Sequence, residues 1–180
     1  MKTALLIVDV QRGIFESTPP PHEAVAVLEH INLLSSRARK AGVPVVFAQH
    51  ERDGSPLQYG AEKWELDKRL VVEPGDVVLR KTTPDVFQRS DLSNHLSAWG
   101  TKELVICGYA SEFCIDTTTR RASALGFSVQ LVSDAHTTHD KQHATATQIR
   151  THHNATLPGV GVVFGAPIRA VPTEEVTFQA

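Results

Sequence analysis

Short apolar runs alternate along this chain with stretches of helical periodicity, and few folds satisfy that alternation. Residues 3–10, 43–48, 76–81, 104–107, 127–132 and 159–164 each have strand length and apolar, largely β-branched character. Between them, Ala24, Val27, Leu28, Ile31 and Leu34 share one face of a predicted helix over 23–41, which Gly42 stops. Leu92, Leu96 and Trp99 share one face of a shorter helix over 91–99, and Gly100 closes it. A polar-rich helix is expected over 139–151, and the tail from 166 is expected to add only a helical turn near 173–176. Strands with no polar alternation are buried on both faces, and crossover helices supply the cover. The pattern predicts a three-layer α/β/α fold with a mainly parallel central sheet, as a single domain over residues 1–180.

Charge and composition narrow the function. A net charge of −2 gives no electrostatic reason to bind nucleic acid or an anionic membrane. No run is long enough to span a bilayer. The apolar run at 3–8 is short, lacks a small-residue cleavage site and ends in Asp9, so it reads as a strand and not a signal peptide. Two cysteines are not a disulfide framework, and the reducing cytoplasm is the expected compartment. Gly108-Tyr109-Ala110-Ser111 is not a dinucleotide fingerprint and no P-loop is present, so a small-molecule substrate without a cofactor is expected.

In parallel sheets, sites gather beyond the carboxyl ends of the strands. Asp9 ends the first run, Lys81 ends the third, and Cys114 follows the fourth. Ser111 is read as the N-cap of the next helix, with Cys114 in its first turn. There the helix dipole is expected to favour thiolate. Taken singly, Cys114 reads as a core thiol and Asp9 with Lys81 as a structural ion pair; taken together they form an acid, a base and a thiol at one edge. Phe15, Phe87 and Phe113 are candidates for a pocket wall or for core packing, and Trp64, Tyr109 and His136 join them as candidate substrate contacts. His139 and His143 are spaced to share a helical face as metal ligands can, yet nothing completes a zinc pattern, and they read as exposed polar residues.

These residues carry a family resemblance. Ala4-Leu-Leu-Ile-Val-Asp9-Val-Gln11, Lys81-Thr-Thr-Pro-Asp85-Val-Phe87, Gly108-Tyr-Ala-Ser-Glu-Phe-Cys114 with Asp116-Thr117-Thr118, and Ser133-Asp134-Ala135 occur in the order found in the isochorismatase-like cysteine hydrolases. The resemblance implies a catalytic triad of Asp9, Lys81 and Cys114, a cis peptide between Tyr109 and Ala110, and a homodimer or homotetramer. It also implies an oxyanion site at the backbone N–H groups of Ala110 and Cys114, and hydrolysis of an amide-type C–N bond through a thioester. Nicotinamidases of this family carry an Asp-x-His metal motif where this chain reads Gln49-His50-Glu51-Arg52-Asp53-Gly54. The chain is therefore similar to the metal-free, streptothricin-hydrolase-like branch, and no catalytic metal is expected. True isochorismatases cleave a vinyl ether and generally lack the nucleophilic cysteine, so Cys114 favours amide chemistry. The alternatives are a vinyl ether or ester hydrolase, or a non-catalytic binding or redox thiol protein on the same scaffold.

Overall fold

The computed structural model describes residues 1–180, with the side chain of Phe164 excepted. Strands β1 (Thr3–Val8), β2 (Val45–His50), β3 (Val77–Lys81), β4 (Glu103–Tyr109), β5 (Ser128–Thr137) and β6 (Ile168–Val171) form one sheet. Their order is β3-β2-β1-β4-β5-β6, and every neighbouring pair is parallel. The helices are α1 (Arg12–Phe15), α2 (Ala24–Lys40), α3 (Leu92–Trp99), α4 (Asp116–Ala124) and α5 (Ala146–Phe164). The predicted three-layer α/β/α class holds.

Strand periodicity divides the core in two. Leu5 and Ile7 of β1 pack on one side with Val27, Leu28, Ile31 and Leu34 of α2. Ala4, Leu6 and Val8 pack on the other with Leu92 and Leu96 of α3, Ala122 of α4 and Leu157 of α5. Leu5, Leu6 and Ile7 are fully buried, each contributing roughly 1.5–3 kcal/mol of transfer free energy. Where β4 crosses β1, Gly108 lies opposite Val8 with φ of 119°. A Cβ there would sit 2.1 Å from the Val8 carbonyl oxygen, so only glycine fits. At the sheet's edge, β3 pairs with β2 alone, and its Val78 is 46% exposed while Lys81 at its end is buried.

Several boundaries differ from expectation. Residues 159–164 are not a strand; they are the last turns of α5, and the final strand is Ile168–Val171. Leu157 and Val160 pack against the sheet face, and Gly161 lets the helix backbone approach β6, where a Cβ would meet Ile168 N at 2.6 Å. Tertiary burial thus overrides the helix-weakening Pro158 and glycines. The helix expected over 139–151 starts only at Ala146, set by a capping box between Thr145 and Gln148. The turn expected at 11–15 contains the short helix α1, and β5 runs past Asp134 to Thr137. Among the described residues, no helix is long and apolar enough to cross a membrane.

Candidate active site

The carboxyl ends of β1, β3 and β4 converge on one buried cluster. Asp9 directly follows β1, and its backbone adopts φ of 55°, a left-handed conformation that aspartate tolerates better than most residues. Its N–H is held by the Ala48 carbonyl at 2.8 Å, which fixes the carboxylate against β2. Lys81 ends β3 and is 1% exposed, so its ammonium has left bulk water. Compensation comes from Asp9: Lys81 Nζ donates to Asp9 Oδ2 at 2.8 Å, and both side chains are almost wholly buried. Lys81 Nζ also lies 3.3 Å from Cys114 Sγ, 3.3 Å from the Thr83 carbonyl oxygen and 3.4 Å from His50 Nδ1. Asp9 Oδ1 is buried and has no hydrogen-bond partner, which leaves an acceptor idle in the middle of the cluster.

Cys114 is carried by a wide π-type turn, Ser111–Ile115, that leads into α4. Such turns recur at functional sites. Ala110 stands at the N-cap, and its carbonyl accepts from both Phe113 N and Ile115 N. The peptide bond between Tyr109 and Ala110 is cis, as the resemblance implies. Ser111 does not cap this turn. Its hydroxyl is 2.7 Å from His136 Nδ1, and His136 Nε2 is 2.9 Å from Asn154 Oδ1. The acceptor Oδ1 assigns the imidazole proton to Nε2, so Nδ1 accepts from Ser111. Burial lowers the His136 pKa to about 4, so the ring is a neutral strut between the π-turn and α5.

The expected thiolate is corrected as well. Burial, followed by the negative charge of Asp9, pushes the Cys114 thiol up to about 12, against a smaller downward pull from Lys81. With burial and Asp9 both acting against the charged form, the resting sulfur is a thiol. The fully buried Cys107, on β4, is also raised, again by burial.

A cavity of about 280 Å³ opens beside this cluster, lined by Asp9, Ile14, His50, Leu57, Tyr109, Ala110, Phe113 and Cys114. Of the expected substrate contacts, Tyr109 and Phe113 stand on its wall. Phe15, Phe87, Trp64 and His136 do not. Phe15 is 2% exposed and packs edge-on against Tyr109, giving that wall its backing. Phe87 is in the core, stacked with Phe127. Trp64 packs against Tyr59, and its carbonyl accepts from Gln11 and Gln49. His136 is fully buried. The premise of a shared helical face for His139 and His143 fails, because both precede α5. His139 sits between Tyr109 OH at 2.9 Å and Ser17 Oγ at 3.0 Å. His143 lines a separate cavity of about 410 Å³ with Glu112 and His152, away from the sulfur.

His50 stands on the cavity wall with Gln11 behind it, and neither was singled out as a substrate contact, although the stretch from His50 to Trp64 was expected to help choose the substrate. The signal for His50 was available: it ends a parallel strand, on the edge that already held Asp9 and Lys81.

Comparison with known proteins adds lineage to this geometry. The Isochorismatase domain family matches residues 3–158. A streptothricin hydrolase from Streptomyces noursei is 43% identical over 142 residues, covering 76% of this chain and 50% of that protein. The chain thus spans about half the length of the streptothricin hydrolases it matches. Nicotinamidase 3 of Arabidopsis thaliana is 29% identical over 90% of this chain and 81% of that protein. Among solved structures, an isochorismatase family protein superposes with a TM-score of 0.85 at 33% identity, over 94% of this chain and 97% of that one.

Proposed function

We propose that this chain, which belongs to the isochorismatase family of hydrolases, cleaves an amide-type C–N bond of a small molecule with Cys114 as nucleophile. The observation that carries the reading is the Lys81 ammonium, within 3.3 Å of both Asp9 Oδ2 and Cys114 Sγ while Asp9 Oδ1 has no partner. Asp9 is the group that takes the thiol proton as the sulfur attacks the carbonyl carbon. Lys81 balances the negative charge as it passes from carboxylate to sulfur. The carbonyl oxygen, now an oxyanion, takes hydrogen bonds from the backbone N–H groups of Ala110 and Cys114. Collapse breaks the C–N bond, the leaving nitrogen takes the proton held by Asp9, and a thioester remains on Cys114. Water, deprotonated by Asp9, attacks that thioester, and the acid leaves as the proton returns to the sulfur.

The high thiol pKa is consistent with this sequence. A thiol that ionises only when substrate arrives keeps its proton for the leaving group. The apolar wall of Ile14, Leu57, Tyr109 and Phe113 suits a small uncharged acyl group. The two free cysteines fit a reducing cytoplasm. Assembly as a homodimer or homotetramer is proposed on the resemblance alone, and light scattering is expected to return two or four times the mass of the chain.

Incubation with a panel of small amides, with ammonia or amine release as readout, tests the activity, and intact-mass detection of an acylated Cys114 tests the intermediate. Cys114→Ala is expected to abolish turnover; turnover that persists in that variant sinks the mechanism. Esters in the same panel separate amide from ester specificity.

A further inference from the structure

We propose that His50 reads the substrate: a neutral imidazole with its proton fixed on Nε2, donating a hydrogen bond to an uncharged acceptor, such as a second carbonyl oxygen, close to the scissile bond. The inference rests on the hydrolase reading of the same site and names a substrate feature that reading leaves open.

His50 ends β2, the strand between those that deliver Asp9 and Lys81. It pairs in register with Lys81, and its side chain lines the cavity. Its backbone is clamped by one residue from both sides. Gln11 Nε2 donates to the His50 carbonyl at 2.9 Å, and His50 N–H donates to Gln11 Oε1 at 2.9 Å. Gln11 is itself fully buried, so the clamp is rigid. A group held this firmly at a cavity wall is positioned and not merely adjacent.

The chemistry of the ring follows from its neighbour. An ammonium has only donors, so the positive Lys81 Nζ, 3.4 Å from His50 Nδ1, favours a lone pair over a proton on Nδ1. A proton on Nδ1 would point at three others carrying positive charge. The neutral ring therefore holds its proton on Nε2. Burial first, and then the charge of Lys81, lower the His50 pKa, in keeping with a ring that stays neutral. Among the described residues Nε2 has no protein partner, and it is not a sealed atom. A donor without a protein partner thus belongs to a residue that lines a cavity with Ile14, Leu57, Tyr109 and Phe113 on its other walls. A cationic substrate group is the wrong match there, since it would meet an N–H dipole backed by an ammonium.

Two measurements test this. In protein labelled with ¹⁵N-histidine, long-range ¹H–¹⁵N correlation at pH 7.5 reports the tautomer, with His50 assigned by its loss in His50→Gln. The expected pattern is Nε2–H; an Nδ1–H or imidazolium pattern overturns the proposal. The second measurement is saturable alkylation of Cys114 by iodoacetamide, which carries a carbonyl acceptor, against allyl iodide, which carries none. His50→Leu is expected to raise the half-saturating iodoacetamide concentration by about tenfold, the worth of one hydrogen bond. Allyl iodide corrects for any change in the sulfur's own reactivity, so the readout is the ratio of the two reagents, and His50→Gln, which keeps a donor, should restore most of the lost preference for iodoacetamide. Equal iodoacetamide saturation in wild type and a folded His50→Leu variant overturns the proposal. Normal discrimination between the two reagents with no amide turned over counts against the hydrolase reading alone.

Discussion

Replacing Asp9 by asparagine should make Cys114 alkylate faster while ending hydrolysis. The thiol is held at about 12 by burial and by the Asp9 charge, with Lys81 opposing. An asparagine at this position would keep nearly the same volume and burial but remove the charge. Lys81, 3.3 Å from the sulfur, would lose its carboxylate partner and have the thiolate as its remaining candidate counter-ion. An opposite charge at this range, no longer offset by the carboxylate, moves an ionisation by about 1–3 pKa units, so the thiolate population at pH 8 should rise about 10- to 1000-fold. A less basic thiolate is a poorer nucleophile, and close to half of that gain in the exponent is lost. The expected alkylation rate is therefore about 3- to 30-fold above wild type. The assay is the second-order rate with iodoacetamide between pH 6 and 9, read by mass spectrometry of the Cys114 peptide, with buried Cys107 as the unreactive control. Hydrolysis, measured in parallel, should vanish, because alkylation needs only the thiolate whereas amide cleavage needs the proton carried to nitrogen. Slower alkylation in Asp9→Asn at every pH would refute the assigned balance of charges, and retained turnover would refute the role given to the carboxylate.

Two further perturbations probe the frame around the site. Gly108→Ala forces a Cβ to within 2.1 Å of the Val8 carbonyl oxygen at a φ of 119°. It should lower stability by roughly 3 kcal/mol or more, read as a fall in the urea midpoint; an unchanged midpoint would contradict the packing of β1 on β4. His136 has a folded pKa lowered to about 4, so between pH 6.5 and 4 the unfolded ring takes up a proton that the folded one refuses. Its stabilising contribution is complete above the unfolded pKa and is lost as pH falls through that window, by up to roughly 3 kcal/mol. Urea titrations at pH 4.5, 5.5, 6.5 and 7.5 should show this loss, and His136→Gln should flatten it; an equal slope in both proteins would place the acid sensitivity elsewhere.

Much of the fold was legible because its central strands are buried on both faces and so write themselves as unbroken apolar runs, as at 3–8 and 104–107. The same reasoning misled at 159–164, where an apolar, glycine-containing run looks alike in a buried strand and on the packed side of a helix. The start of α5 was recoverable: Thr145-Ala-Thr-Gln148 is a capping-box pattern, and weight given to polar helical character upstream obscured it. Asp9, Lys81 and Cys114 could be collected because each follows a strand, and sites in such sheets lie at that edge. Of the aromatic contacts, Tyr109 and Phe113 were legible, and Phe15, Trp64 and Phe87 were not. Whether Phe87 faces a cavity or Phe127 depends on how the loop after β3 folds, and that loop is set by distant bonds such as Val86 N–H to Thr118 Oγ1 at 3.3 Å. The state of the sulfur was missed for a related reason, since local helix electrostatics can be read from sequence and the depth of burial cannot.

Lys81 belongs to β3, which has a neighbour on one side only. The outermost rung of a ladder detaches at a smaller free-energy cost than the rungs inside it. Warming should therefore withdraw the ammonium from Asp9 and Cys114 while β1 and β4 remain paired. On the role proposed for Lys81, inactivation then runs ahead of melting, and the chain falls chemically silent while its interior is still intact.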